Sequence, residues 1–415
     1  MAEGSRRPAW LEIDLDAIEH NAAVLAAIAA PARLCAVVKA DAYGHGAVEV
    51  AAAALAGGAS CLAVAIVDEG VELRDAGIEA PLLVLSEPGA DAMAEVYAYG
   101  LVPTIYTPGG LSRARDAAGA HAAATAGADR RAPVEIKVDT GMHRVGADPA
   151  ALVPLARALV EAPELEFAGL WTHLAVADEP ASEVTGEQLR RFEAARISLR
   201  EAGLPEPGRV HAANTAGAIA WPAGRLDLVR CGIGLYGYAP SPAVAPMLAS
   251  ATAAAGFDDG LRPAMSWVAR VALVRELEAG ERVSYGLKAP LPERSLVATV
   301  PLGYADGIPR AYFEGGGAVL VNGRRRRLAG SVTMDQILVD CGDDFTVAAG
   351  DEVVLIGEQG DERLTAQDWA ECLDTISYEV ITRIGPRVPR SYRCGAGTSG
   401  RSAGAAASGE HRPAR

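Results

Sequence analysis

The sequence predicts a (β/α)8 barrel followed by a C-terminal, mainly-β domain, and three observations carry that expectation. From residue 34 to about 231, short β-rich runs alternate with amphipathic helical segments, the signature of a parallel sheet. Eight such runs fall within roughly two hundred residues, a density that suits a closed barrel better than an open one. After "APSPAVAPMLAS" the texture changes to β runs separated by turns. The alternation by itself also admits a doubly wound sheet. The expected division is a barrel over residues 1–250, a mainly-β domain over 251–393 and a disordered tail over 394–415, where no apolar period survives.

Taken in order, the barrel strands are expected in "LCAVV", "CLAVAI", "LLVL", "LVPTIY", "PVEIKVD", "LEFAGLWTH", "RVHAAN" and "LDLVRC". Helical patterns such as "AVEVAAAAL", "VDEGVELRDAG", "ALVPLARALVEA" and "EQLRRFEAARISLREAG" separate them. The second domain reads as "AMSWVARVALVREL", "SLVATVPLGY", "GAVLVNG", "ILVDCG" and "DEVVLIGEQG", interrupted by the helical "AQDWAECLDTI". The Asn-Gly of "NGRRRR" signals a hairpin, with the arginines on a solvated edge.

Composition narrows the function. A net charge of −15 argues against nucleic acid as partner. The apolar run "AAVLAAIAA" is too short to span a membrane, and the start lacks a signal-peptide pattern. Six scattered cysteines without Cys-x-x-Cys spacing imply reduced thiols in a cytoplasmic protein and no metal site.

Barrel chemistry collects at the C-terminal ends of the strands. Here those ends carry Lys39, Lys137 with Asp139, His173, Asn214 and Arg230. In "PVEIKVD", Val134, Ile136 and Val138 share one face, so Glu135, Lys137 and Asp139 are expected to face the lumen. A buried Lys137 needs an anion, such as Asp139, or must become one. Lys39, at the break in "AVVKADAYGHG", could be ion-paired, a general base or a Schiff-base amine. Gly232, Gly234 and Gly237 in "CGIGLYG" follow the last strand as a candidate phosphate cradle, and "NTAG" opens a helix nearby.

The motifs "AVVKADAYGHG", "KVDTGMHRVG", "HAANTAG", "VRCGIGLYG", "VSYG", "GYADG", "TMDQ" and "SYEV" occur in this order, and with them residues 8–393 resemble the bacterial alanine racemases. The resemblance implies a pyridoxal 5'-phosphate barrel, a C-terminal β domain and a homodimer interconverting L- and D-alanine, with D-alanine supplied to peptidoglycan. Lys39 would hold the cofactor and act as one base; Tyr285, from the partner subunit, would be the other. Tyr43, Thr215, Gly232, Ile233 and Tyr378 match phosphate-binding positions, Leu85 and Asn214 line the cofactor, Arg230 faces its ring nitrogen and His173 lies beside the ring. Arg144 and the backbone of Met334 match contacts to the substrate carboxylate. Lys137 matches a lysine that many members carry as N6-carboxylysine. Ser331 departs from the arginine common in the substrate corridor, and Asp41 from a common asparagine.

Neighbouring readings stay open on sequence alone. A racemase of serine or another small amino acid would share every motif. A basic amino-acid decarboxylase would place a carboxylate, not Arg230, at the ring nitrogen, and a cofactor-carrying regulatory protein would lack the β domain. A barrel using Lys39 without cofactor is the most distant alternative.

Overall fold

The computed structural model describes residues 7–124 and 131–395. Strand β1 (Ala9–Asp14) precedes the eight barrel strands: β2 (Arg33–Val37), β3 (Cys61–Val64), β4 (Leu82–Val84), β5 (Val102–Ile105), β6 (Ala132–Lys137), β7 (Leu165–Trp171), β8 (Val210–His211) and β9 (Leu228–Cys231). The latter eight form one parallel sheet in the order β8-β7-β6-β5-β4-β3-β2-β9. Its two ends meet through a parallel bridge between Asn214 and Arg230, where the Arg230 amide donates to the Ala213 carbonyl at 2.9 Å. All eight expected strands are present, and the sheet curls to this seam as a near-closed barrel.

Alternation along the strands sorts the core into two shells. Leu34, Ala36, Leu62, Val64, Leu82, Val84, Val134 and Ile136 point outward into a large cluster shared with the helices. Cys35, Val37, Cys61, Ala63, Leu83, Val102 and Leu228 pack against one another as a separate cluster inside the barrel. On β6 the same alternation turns Glu135 and Lys137 inward, as the sequence pattern requires, and both are buried. The seventh predicted barrel run, "RVHAAN", yields only the two-residue β8, because the chain beyond it leaves the ladder to join Arg230 at the seam.

The second domain holds β10 (Met265–Arg270), β11 (Leu273–Leu277), β12 (Ser295–Val300), β13 (Ala318–Val321), β14 (Arg324–Arg327), β15 (Ile337–Asp340), β16 (Glu352–Gln359), β17 (Glu362–Leu364) and β18 (Arg390–Arg393). A seven-stranded sheet runs β14-β13-β16-β10-β1-β18 with β17 on β16, beside a three-stranded sheet β11-β12-β15. The first strand of the chain therefore sits inside this sheet, antiparallel to β10 and parallel to β18, although it lies within the span 1–250 expected for the barrel. Between β10 and β18 its Ala9, Leu11 and Ile13 are fully enclosed, with a backbone partner on each side.

The Asn322-Gly323 hairpin forms, with φ of +50° and +66° at the two turn residues, and puts the arginine strand β14 at the sheet edge. The expected helix in "AQDWAECLDTI" spans Ala366–Leu373, capped by Thr365. The expected tail from residue 394 lies, beyond residue 395, outside the described residues. No helix among the described residues is long and apolar enough to cross a membrane.

Candidate active site

Strand β2 ends at Val37, and Lys39 follows as the chain enters a turn of unusual hand. Ala40, Asp41, Ala42 and Tyr43 all have φ between +51° and +53° with ψ between +38° and +51°, one turn of left-handed helix. For residues with a Cβ this costs about 1–2 kcal/mol each. Polar groups around the turn offset that cost. Glu69 accepts the Ala40 amide at 2.7 Å and the Ala65 amide at 2.7 Å, tying the turn to the end of β3. Asp41 accepts the Ala47 amide at 2.9 Å, capping the next helix, and its acceptor role there is one an asparagine can also fill. The turn leaves Lys39 and Tyr43 facing the same cavity.

That cavity has a volume of about 470 Å³ and opens over the strand ends. Lys39, Tyr43, Leu85, His173, Asn214, Thr215, Arg230, Gly232, Ile233 and Tyr378 all line it, together with Lys137 and Arg144. No aspartate or glutamate is among its lining residues. Lys39, Lys137, Arg144 and Arg230 therefore face one space without a carboxylate between them. Asp139 is not the partner of Lys137: one of its oxygens accepts the amides of Gly141, Met142 and His143, and the other lies 3.3 Å from His143. The Lys137 ammonium instead rests over the Trp171 ring, 4.7 Å from its centroid.

The electrostatics follow from burial and like charge. Burial, then Arg144 and Arg230, pulls the Lys137 amine down to about 8. Burial, then Arg144, lowers Lys39 as well, which favours a neutral, nucleophilic amine. Burial holds His173 well below the usual imidazole range, and Arg230 adds to the effect. Burial also raises the Tyr43 phenol to about 12 and pushes Tyr378 up, so both stay protonated donors.

Beneath Arg230 runs a buried chain of polar groups that the motifs did not reveal. Glu135 is salt-bridged to Arg209 and accepts from His211 Nε2 at 2.9 Å. Arg230 Nη1 donates to His211 Nδ1 at 2.6 Å, and a guanidinium can only donate, so the imidazole proton sits on Nε2. Arg230 Nη2 is held by the Thr172 and Ala212 carbonyls at 2.8 and 3.1 Å, with His173 Nδ1 at 3.4 Å. Burial would raise Glu135, yet His211 and Arg209 hold it down at about 2. Burial lowers Arg230 to about 10, still charged at neutral pH. Glu135 was expected to face the lumen from the alternation of β6; His211 was not singled out, although its alternation with Val210 in "RVHAAN" is the signal that could have found it.

At the far side, Asn214 caps the helix Thr215–Ala220 by accepting the Gly217 amide at 2.9 Å, as "NTAG" suggested. Thr215 Oγ1 accepts the Gly232 amide at 3.0 Å, joining this cap to the glycine turn after β9. A Cβ on Gly232 would fall 2.4 Å from the Tyr43 hydroxyl, so only glycine lets that phenol approach. The Tyr43 and Tyr378 rings lie 6.1 Å apart, centroid to centroid. Hydroxyls, a glycine turn and uncompensated cations make a cradle for a phosphate ester, and its chemistry fits the group the motifs implied.

Tyr285 and Met334 are not in this cavity. They line another, of about 790 Å³, on the β domain, and both are exposed. Ser331 is buried nearby, its carbonyl accepting from the Ser284 hydroxyl at 2.5 Å. A third cavity, of about 580 Å³, mixes Glu12, Asp259 and Glu352 with Arg262, Arg363 and Arg393 and lies away from Lys39.

The fold and this pocket define an α/β-barrel enzyme whose cavity sets an amine among cations and hydroxyls, a lining suited to an anionic ligand. Residues 13–240 match the family model described as alanine racemase, N-terminal domain, and residues 264–392 the one described as alanine racemase, C-terminal domain. An alanine racemase of Symbiobacterium thermophilum is 45% identical over 386 residues, 93% of this chain and 97% of that protein. One of Thermobifida fusca is 44% identical, over 92% and 96%. Among solved structures, the alanine racemase of a D-cycloserine-producing Streptomyces lavendulae superposes with a TM-score of 0.84 at 39% identity, covering 94% of this chain and 98% of that one. A histidine racemase of Leuconostoc mesenteroides also superposes, with a TM-score of 0.81 at 29% identity, over 94% and 99%. The chain belongs to the alanine racemase family.

Acid should loosen this structure in a defined window. His45, whose ring lies 4.6 Å from Tyr236, and His211 are both pushed by burial to about 4 from an ordinary 6.5. A folded value below the unfolded one means stability is full above pH 6.5 and lost as pH falls toward 4, by up to about 3 kcal/mol for each histidine. Urea midpoints measured from pH 7.5 to 4.5 should fall over that range. His45→Phe keeps the ring contact, and its midpoints should fall less steeply; an unchanged slope would exclude His45 as a source.

Proposed function

We infer that this chain racemises alanine with pyridoxal 5'-phosphate, as a homodimer working in the cytoplasm and supplying D-alanine for peptidoglycan. The observation that carries the reading is the cavity in which Lys39 meets Tyr43, Thr215, Tyr378 and Arg230 with no carboxylate lining it. Lys39 would hold the cofactor through its amine. Tyr43, Thr215, Tyr378, Gly232 and Ile233 would bind the phosphate, Leu85, Asn214 and His173 would line the ring, and Arg230 would meet its nitrogen. When bound, the cofactor spreads the negative charge left on the substrate α-carbon.

The protein's own groups would do the rest. Racemisation removes a proton from one face of the α-carbon and returns one to the other, so it needs acid/base groups on both faces. Lys39 serves one face, and its lowered affinity for protons suits it to act as base. Tyr285 serves the other. Arg144 and the backbone of Met334 bind the substrate carboxylate. Arg230 would meet the ring nitrogen as a donor that keeps its own proton, because Glu135, through His211, keeps the guanidinium oriented and charged. Such a donor would restrain side reactions such as transamination.

Lys137 would be carboxylated. Carbamate formation needs a neutral amine, and a value near 8 supplies one in an appreciable fraction at pH 7.5. The product would place an anion among Arg144, Arg230 and Lys39, the groups that now repel its ammonium.

A shared site is supported by Tyr285, which is 75% exposed and lines a cavity apart from Lys39. A two-fold dimer would bring each such tyrosine over the neighbour's barrel.

The purified protein should interconvert L- and D-alanine in a coupled assay and turn over serine and histidine far more slowly. Borohydride should fix a pyridoxyl group on the Lys39 peptide. A preference for serine or histidine would replace the substrate, and label on Lys137 would overturn the lysine assignment. Crystals grown with bicarbonate at pH 8 or above should show three extra atoms on Lys137 Nζ facing Arg144; a bare amine turned to Asp139 would refute carboxylation. Mixing inactive Lys39→Ala and Tyr285→Phe chains should restore about a quarter of wild-type activity, since half the dimers are mixed and one site in each is intact. No recovery after demonstrated subunit exchange would place both residues in one chain.

A further inference from the structure

We propose that Arg390, on β18, is a positioning residue that holds Tyr43 and Tyr378 at their working separation and so tunes phosphate binding. The inference rests on the cofactor reading above. Arg390 donates to the Gly44 carbonyl at 3.2 Å, the Gly385 and Val388 carbonyls at 2.8 and 2.7 Å, and the Ile384 carbonyl at 2.8 Å. Gly44 closes the left-handed turn that presents Lys39 and Tyr43. Ile384 and Gly385 follow the helix Ser377–Thr382 that carries Tyr378. One guanidinium therefore bridges the two segments that bear the two tyrosines.

The surroundings make the bridge specific to this place. All of those acceptors are carbonyls, and among the described residues no salt bridge engages Arg390; Asp41, within the turn, attracts it across space. The two segments touch beside it, since a Cβ on Gly44 would fall 2.7 Å from the Ile381 carbonyl oxygen. Two residues along β18, Tyr392 crowds the same loop, its hydroxyl 1.9 Å from where a Cβ on Gly46 would stand. Keeping β18 in its sheet needs none of this, because the ladder to β1 already does so through Leu11–Arg390 to Asp14–Arg393. The fork geometry matters too: a lysine offers a point charge and cannot span carbonyls on both segments in the same way.

The test uses full-length Arg390→Met and Arg390→Lys proteins, freed of cofactor and checked by circular dichroism and thermal melting. Dissociation constants are measured by fluorescence for pyridoxal 5'-phosphate and for pyridoxal, which lacks the phosphate. Arg390→Met should bind pyridoxal phosphate about tenfold more weakly, the scale of a lost charged hydrogen bond, and pyridoxal within twofold of wild type. Arg390→Lys should recover only part of the loss. In the cofactor-free protein, hydrogen exchange should quicken at the Ala42, His45 and Gly46 amides while the β1–β18 ladder stays protected. Equal loss for both ligands, or faster exchange across β1–β18, would reduce Arg390 to a structural strut. Unchanged affinity in Arg390→Met while wild type binds the phosphate ester would refute the clamp alone; a wild-type protein that binds neither ligand would refute the cofactor reading itself.

Discussion

The site depends on a single buried carboxylate. Glu135 lies in the barrel lumen with Arg209 on one side and His211 on the other, and through His211 it reaches Arg230. A charge with no exposure survives only if its partners repay the lost hydration. Here the partners come from three different strands or strand ends, β6, β8 and β9, so the pairing also sets how those strands register around the seam. Removing Glu135 would leave Arg209 unpaired, free His211 to take the other tautomer and release the orientation of Arg230. The lumen is thus neutralised at its floor by Glu135, while at its mouth the positive charge is left for a ligand to balance.

The mouth shows the complementary economy. Four cationic side chains face one cavity, and the uncommon left-handed turn is what lets Lys39 and Tyr43 face it together. A right-handed turn there would carry the tyrosine to another side of the strand end. The turn is held from outside by Glu69 and by the second domain, and from within by the bond from the Ala47 amide to Asp41, so much of its unfavourable backbone is stabilised by groups distant in sequence. The β domain is therefore part of the construction of the pocket as well as the bearer of Tyr285.

Much of this was legible in the chain. The eight strands declared themselves by alternation, and the inward set of β6 by its alternating charges. The residues that the resemblance implied around a cofactor all line one cavity, although Trp171 and Ser86, which line it too, were not singled out. What stayed hidden has a physical explanation in each case. Ala40 to Tyr43 include no glycine, and only Asp41 among them is of a type that visits positive φ readily; the run of four is imposed by Glu69 and the packed loop. The brevity of β8 reflects the seam, a long-range event. The pairing of Lys137 with Asp139 looked natural on one strand, but the backbone amides of residues 141–143 claim that carboxylate first. Strand β1 fell within the span assigned to the barrel, and only its partners, more than two hundred and fifty residues away, place it in the other sheet.

That last pairing bears on how the chain is made. Strand β1 lies between β10 and β18, so among the described residues the first strand in chain order neighbours the last. The barrel needs neither end and can close while the remainder is being synthesised, domains generally folding as units in order of emergence. The seven-stranded sheet cannot. Its middle stays incomplete until β10 appears, and its edge until β18 does, so Leu11 and Ile13 wait without cover through most of translation. With Arg390 on β18, the turn that carries Lys39 lacks this support until a residue some three hundred and fifty positions further along the chain has been made.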